Sequence, residues 1–130
     1  MKYIYFIGIK GVGMTALAVF VKQLGIKVAG SDVEEEFVTD KILKKNQIEW
    51  TIGFDSKIPS APDLVVVTNS HGGIEKNPQA KFARKKRWRV VSFGEALGIL
   101  TQKYDILAIS GIHGKTTTTA ACAYFLEKAG

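Results

Sequence analysis

Two glycine-rich turns hold the residues of this chain best suited to chemistry. The later one, Gly111-Ile112-His113-Gly114-Lys115-Thr116-Thr117, follows the apolar run Ile106-Leu107-Ala108-Ile109 and opens a segment patterned as helix. A strand, a glycine turn, a Lys-Thr pair and a helix form the layout of a phosphate cradle. Amides of the turn and helix N-terminus face the anion, Lys115 adds a point charge, and the Thr116 hydroxyl can ligate Mg²⁺. The spacing is shorter than a general P-loop, which requires a glycine where this chain has Ile109.

The earlier turn is Gly11-Val12-Gly13-Met14-Thr15-Ala16, with Asp32 about twenty residues beyond at the end of a second strand. This satisfies the G-x-G-x-x-G/A dinucleotide fingerprint. In that reading the two glycines admit phosphates close to the backbone. Ala16 lets helix and strand approach, and Asp32 reaches ribose hydroxyls. Three readings stay open for the turn alone: NAD(P) binding, another phosphate-bearing nucleotide, or a structural tight turn. A simple dehydrogenase has no use for a second cradle, so two cradles in series suggest two phosphate-bearing ligands in two domains.

The elements that must position these turns alternate in period. Tyr3–Ile9 is a near-continuous apolar run, as in a strand buried on both faces of a parallel sheet. Met14–Leu24 reads as a helix stopped at Gly25, Lys27–Gly30 as a strand, Glu34–Lys45 as a helix, and Glu49–Ile52 as a weak strand. Ser56–Asp63, with Pro59 and Pro62, is an expected loop, Leu64–Thr68 the clearest strand, and Asn69–Lys76 a polar loop. Asn77-Pro78 supplies an N-cap and first helical residue for a helix to about Lys85. Arg89–Ser92 then reads as strand and Phe93–Leu100 as helix. The fold class expected is α/β: a Rossmann-like, mainly parallel sheet with helices on both faces, followed by a strand–P-loop–helix unit. A boundary near Thr101–Lys103 separates residues 1–103 from 104–130. The last helix, Lys115–Lys128, carries too much apolar surface to stay wet.

Composition narrows the function classes. With 46% hydrophobic and 23% charged residues the chain is globular rather than disordered. No apolar run approaches the roughly 20 residues of a membrane span, and the N-terminus lacks a signal-peptide pattern. The single cysteine, Cys122, cannot form an internal disulfide, so a cytoplasmic setting is expected. The net charge of +6 draws on six cations between Lys81 and Arg89. A nucleic-acid face is one reading of that run, and a solvated helix end complementing the macrodipole is the plainer one. Neither nucleic acid nor membrane is expected as a partner.

Read in order, Ile7-Gly8-Ile9-Lys10-Gly11-Val12-Gly13-Met14, Gly30-Ser31-Asp32, Asn77-Pro78 and Gly111–Thr119 resemble the Mur ligase family. The branch most similar joins L-alanine to UDP-N-acetylmuramate, and the branch that recycles murein tripeptide is also similar. The resemblance implies an N-terminal domain for a UDP-sugar, a central ATPase and a C-terminal domain for the amino acid. It further implies that ATP activates the substrate carboxylate as an acyl phosphate. Gly11, Val12, Gly13 and Met14 would face the UDP diphosphate, with Ser31 and Asp32 near the uridine end. Gly111, Ile112, His113, Gly114, Lys115, Thr116 and Thr117 would wrap the ATP phosphates, Lys115 being the catalytic candidate and Thr116 the Mg²⁺ ligand. Lys10 stands where the family usually has glycine, either to contact phosphate or to project into solvent. The loop Thr68–Ile74 is longer than the usual Ser-Ser-Ala-Ile segment; its Asn69, Ser70 and His71 offer hydrogen bonds to the UDP-sugar. Ile112 replaces the usual threonine, and His113 matches the pattern.

Overall fold

A computed structural model describes residues 1–55 and 57–130. The first strand, β1 (Tyr3–Ile7), ends where Gly8 turns the backbone to φ +82°. Helix α1 (Val12–Gln23) follows and stops at Gly25, at φ +80° as expected of a glycine beyond a helix end. Strand β2 (Lys27–Asp32), helix α2 (Thr39–Lys45) and strand β3 (Glu49–Ile52) build outward on one side of β1. The chain then crosses back to β4 (Leu64–Val67), on the other side of β1. A turn of helix α3 (Gly73–Lys76), helix α4 (Pro78–Lys85), strand β5 (Val90–Ser92) and helix α5 (Phe93–Thr101) complete the unit.

The five strands are parallel in the order β3-β2-β1-β4-β5. Strand alternation divides the core. Ile4, Phe6, Leu64 and Val66 point to the face covered by Leu17, Ala18 and Val21 of α1, Leu43 of α2 and Ala96 of α5. Tyr5, Ile7, Val65 and Val67 point to the other, against Ala80 and Ala83 of α4 and Ile58 of the β3–β4 connection. Each fully buried aliphatic or Phe side chain contributes about 1.5–3 kcal/mol. The cap expected at Asn77 forms: its side-chain oxygen accepts the Gln79 and Ala80 amides at 2.9 and 3.3 Å.

Four expectations are corrected. The helix expected from Glu34 begins only at Thr39, because Lys10 draws the Glu35 carbonyl aside and leaves residues 33–38 irregular. The loop expected over Asn69–Lys76 contains the α3 turn, and the strand expected from Arg89 starts at Val90. Ile106–Ile109 forms no strand, since no neighbour pairs with it among the described residues; Ile106 is 66% exposed. A strand's amides and carbonyls need a partner to persist as a ladder. The helix beyond, α6 (Lys115–Ala129), forms as expected but is exposed along its length, with only Cys122 half-covered. Tyr104, just past the expected boundary, packs edge-on against Phe20 of α1 at 5.4 Å. Ser56, first residue of the expected loop, lies outside the described residues.

Candidate functional site

The strand order reverses between β1 and β4, and in parallel α/β sheets the crevice beyond the strand ends at such a point is where ligands bind. Here Ile7 pairs with Ser31 on one side and Val67 on the other, so the three strands end level. A cavity of about 290 Å³ opens above them, lined by Gly8, Lys10, Gly11, Val12, Asp32, Phe37, Thr68, Ser70 and His71.

Gly8 makes the close approach possible. A Cβ there would lie 2.2 Å from Cγ2 of Thr68, and φ +82° disfavours any side chain as well. The glycine of the tight turn is therefore Gly8, three residues before Gly11. Gly11 is the N-cap of α1, with no side-chain cap on the helix's first amides. Its backbone carbonyl accepts the Thr15 amide at 2.7 Å, and the uncapped amides at this end favour an anion.

The structure brings Gly11, Val12, Asp32, Ser70 and His71 together on the cavity wall, but not the rest of the first set. Gly13 instead faces α5: a Cβ on it would stand 3.0 Å from Cζ of Phe93. Met14 is buried in the core beneath the turn. Ala16 is exposed near Phe93, and Thr15 takes the strand-facing position, its hydroxyl donating to the Ile9 carbonyl at 2.8 Å. Ser31 is fully buried under the sheet, where its hydroxyl donates to the Gln79 side-chain oxygen rather than to a ligand. Asn69 is exposed outside the lining.

Asp32, 2% exposed, does not present a free carboxylate. One oxygen accepts the Lys10 amide and the other the Val33 amide, both at 2.7 Å. It thus fastens the β1–α1 turn, and His71 Nε2, also on the cavity wall, lies 3.8 Å from its Oδ1. His71 itself sits at φ +55° with its ring against Phe54. Lys10 neither projects into solvent nor hangs free. Its Nζ donates to the Glu35 carbonyl at 2.8 Å and pairs with Asp40 at 3.2 Å. Lys10 and Phe37 are lining residues that spacing alone did not reveal; an apolar residue in an acidic stretch (Glu34-Glu35-Glu36-Phe37) was the available signal.

None of residues 111–117 lines this cavity. In the second turn Gly111 and Gly114 have φ of +153° and +77°, and α6 starts without a side-chain cap. Lys115 Nζ donates to the Gly111 carbonyl at 2.6 Å. Free amides at a helix start, two glycines and an adjacent ammonium suit a phosphate chain. Thr116 stands in the first turn of α6, and no group of three or more His, Cys, Asp or Glu side chains able to hold a metal occurs among the described residues.

With this geometry in view, residues 3–105 match the profile of the Mur ligase family, catalytic domain. The chain belongs to the Mur ligase family. It is 37% identical to UDP-N-acetylmuramate–L-alanine ligase of Caldicellulosiruptor bescii, over 99% of this chain and 28% of that protein. Among solved structures it resembles UDP-N-acetylmuramate-alanine ligase MurC of Thermotoga maritima (TM-score 0.81, 31% identity, 98% of this chain and 29% of that one). It also resembles the UDP-N-acetylmuramate:L-alanyl-γ-D-glutamyl-meso-diaminopimelate ligase of Neisseria meningitidis (TM-score 0.84, 28% identity, 100% of this chain and 40% of that one). The chain therefore spans well under half the length of these relatives. The parallel five-stranded α/β fold found here is thus similar in structure to the matching parts of these ligases.

Proposed function

We propose that residues 1–103 form the UDP-sugar-binding domain of an ATP-dependent ligase that joins UDP-N-acetylmuramate to L-alanine in peptidoglycan synthesis. Residues 104–130 would begin its ATPase domain and, alone, would not complete the reaction. The observation that carries this reading is the cleft at the β1–β4 reversal, where uncapped α1 amides meet Gly11, Val12, Ser70 and His71. In it the diphosphate lies against the amides of the turn, and the side chains of Ser70 and His71 hold the sugar-bearing end. The second turn would take ATP, with Lys115 on its outer phosphates and Thr116 as one Mg²⁺ ligand. ATP would supply the phosphoryl group that makes the carboxylate an acyl phosphate, which the alanine amino group attacks to form the amide. The chain's own part is positioning and charge neutralisation, on which phosphoryl transfer depends. A cytoplasmic setting fits this chemistry.

Asp32 weighs against the nicotinamide reading, because it is 2% exposed and already fastens the Lys10 and Val33 amides rather than standing open to a dinucleotide's ribose. Titration separates the two: UDP-N-acetylmuramate should bind and NADH should not, and the reverse preference would refute the proposal. The likeness to the Neisseria meningitidis enzyme supports a second reading, murein-tripeptide recycling. Assaying the full-length ligase with L-alanine and with tripeptide distinguishes the branches.

A further inference from the structure

Lys10 is a buried cation on the wall of the cleft. It is 4% exposed, and burying an ammonium is costly unless it is paired and hydrogen-bonded. Here three bonds tie the residue to the irregular segment before α2 and to the first turn of that helix. Its Nζ meets the Glu35 carbonyl and the Asp40 carboxylate, and its carbonyl accepts the Thr39 hydroxyl at 2.6 Å. The ammonium also lies 5.7 Å from the Phe37 ring centre and 5.6 Å from that of Trp50, within cation–π range. Asp40 gives up much for this pair, since its second oxygen is buried without a partner among the described residues. The sequence thus spends a buried ion pair on holding residues 35–40 against the β1–α1 turn.

What the clasp presents to the cleft is Phe37. The residue is 43% exposed, and it lines the cavity together with Thr68, Ser70 and His71. An aromatic wall beside a set of phosphate-facing amides suits a ligand with a planar ring at one end and phosphate next to it. We propose that Lys10 is a positioning residue whose clasp fixes Phe37 as the face on which the base of a nucleoside diphosphate stacks. The inference rests on the UDP-sugar reading of the same cleft, and it assigns the base end to the 33–40 segment rather than to Ser31.

The test uses the 130-residue chain, with UDP and inorganic pyrophosphate as probes in calorimetric titrations. Phe37→Leu keeps the bulk but removes the π face; it should weaken UDP about tenfold, within the range for base–aromatic stacking, and leave pyrophosphate unchanged. Phe37→Trp should restore UDP affinity and add an indole whose fluorescence UDP quenches. The double substitution Lys10→Met/Asp40→Asn, which removes both charges together, should reproduce the Phe37→Leu pattern, and Lys10→Arg should bind as the parent does. Equal UDP affinity in Phe37→Leu and the parent overturns the stacking role. Equal weakening of pyrophosphate and UDP in the double variant places Lys10 on the phosphates and overturns its positioning role. A parent chain that binds neither probe refutes the underlying UDP-sugar reading instead.

Discussion

The two glycine turns have similar composition and different physical states. The first stands on three level strand ends, with Gly8 wedged against Thr68, Asp32 tying down two amides and Lys10 locked behind it. The second follows an unpaired extended segment, opens an exposed helix, and its lysine rests on the turn's own Gly111 carbonyl. A cradle stabilises charge only when its donors are held before the ligand arrives. The comparison shows that the holding comes from the sheet behind the turn rather than from the glycines in it.

Breaking the first turn should therefore cost far more than changing the second. Gly8→Val has the largest expected effect. It combines a left-handed φ, at about 1–2 kcal/mol, with overpacking against Thr68, at about 1–3 kcal/mol. Urea unfolding should show a loss of several kcal/mol or no folded protein. Gly114→Ala is the matching change in the second turn, also at positive φ but with open space around the new Cβ. It should cost only the backbone part, about 1–2 kcal/mol, with no overpacking added. Equal losses would mean that the sheet gives the first turn no special rigidity.

Asp32→Ala comes next. It leaves the Lys10 and Val33 amides without their acceptor in a buried turn, at about 1–3 kcal/mol for each donor that water cannot reach. Asp32→Asn keeps one acceptor oxygen and should recover part of the loss. If Asp32 served only a ligand, both variants would unfold like the parent.

Gly13→Val sharpens the contrast between cleft and helix packing. The new side chain meets the Phe93 ring, so the loss should be about 1–3 kcal/mol in stability, with the cleft little affected. Adding Phe93→Ala should relieve the clash, giving a non-additive double-mutant cycle. Loss of UDP-sugar binding at full stability would return Gly13 to the cleft wall.

What could be read in advance was periodic or local. The β4 run Leu64–Val67, the Asn77-Pro78 start and the α/β alternation follow from patterns that neighbours in sequence determine. The glycine turn after the first strand and the polar loop after β4 were marked as well, but their meeting in one cleft depends on the strand order, which no local pattern sets. Individual site residues were less legible. Ser31 and Asp32 are adjacent polar residues, yet in a strand their side chains take opposite faces. One ends on Gln79 of α4, the other on the β1–α1 turn. Lys10 was equally opaque, since its partners Glu35 and Asp40 lie in a segment whose path the lysine itself sets. The motif at Gly111 was legible in type, but no sequence pattern supplies the missing sheet partner of Ile106–Ile109.

The smallest expected effect concerns how the cleft's frame responds to acid. Glu95 completes a capping box on α5, accepting the Ser92 amide and hydroxyl at 2.7 Å each, and these bonds hold its carboxyl below the usual range. Asp63 accepts the Lys2 and Tyr3 amides at 2.6 and 2.9 Å and is lowered for the same reason. Because both are depressed in the folded state, their contribution is complete above the ordinary carboxylate pKa. It is lost as pH falls through the lower folded values. Both groups are exposed, so the effect is a modest slope rather than a cliff. Urea unfolding near neutrality and at about pH 3, below the reference values, should show a smaller difference for Asp63→Asn/Glu95→Gln than for the parent. Neither carboxylate touches the cleft, so UDP-sugar affinity near neutrality should stay at the parent value. An acid slope that is unchanged in the double variant would mean that neither carboxylate is its source.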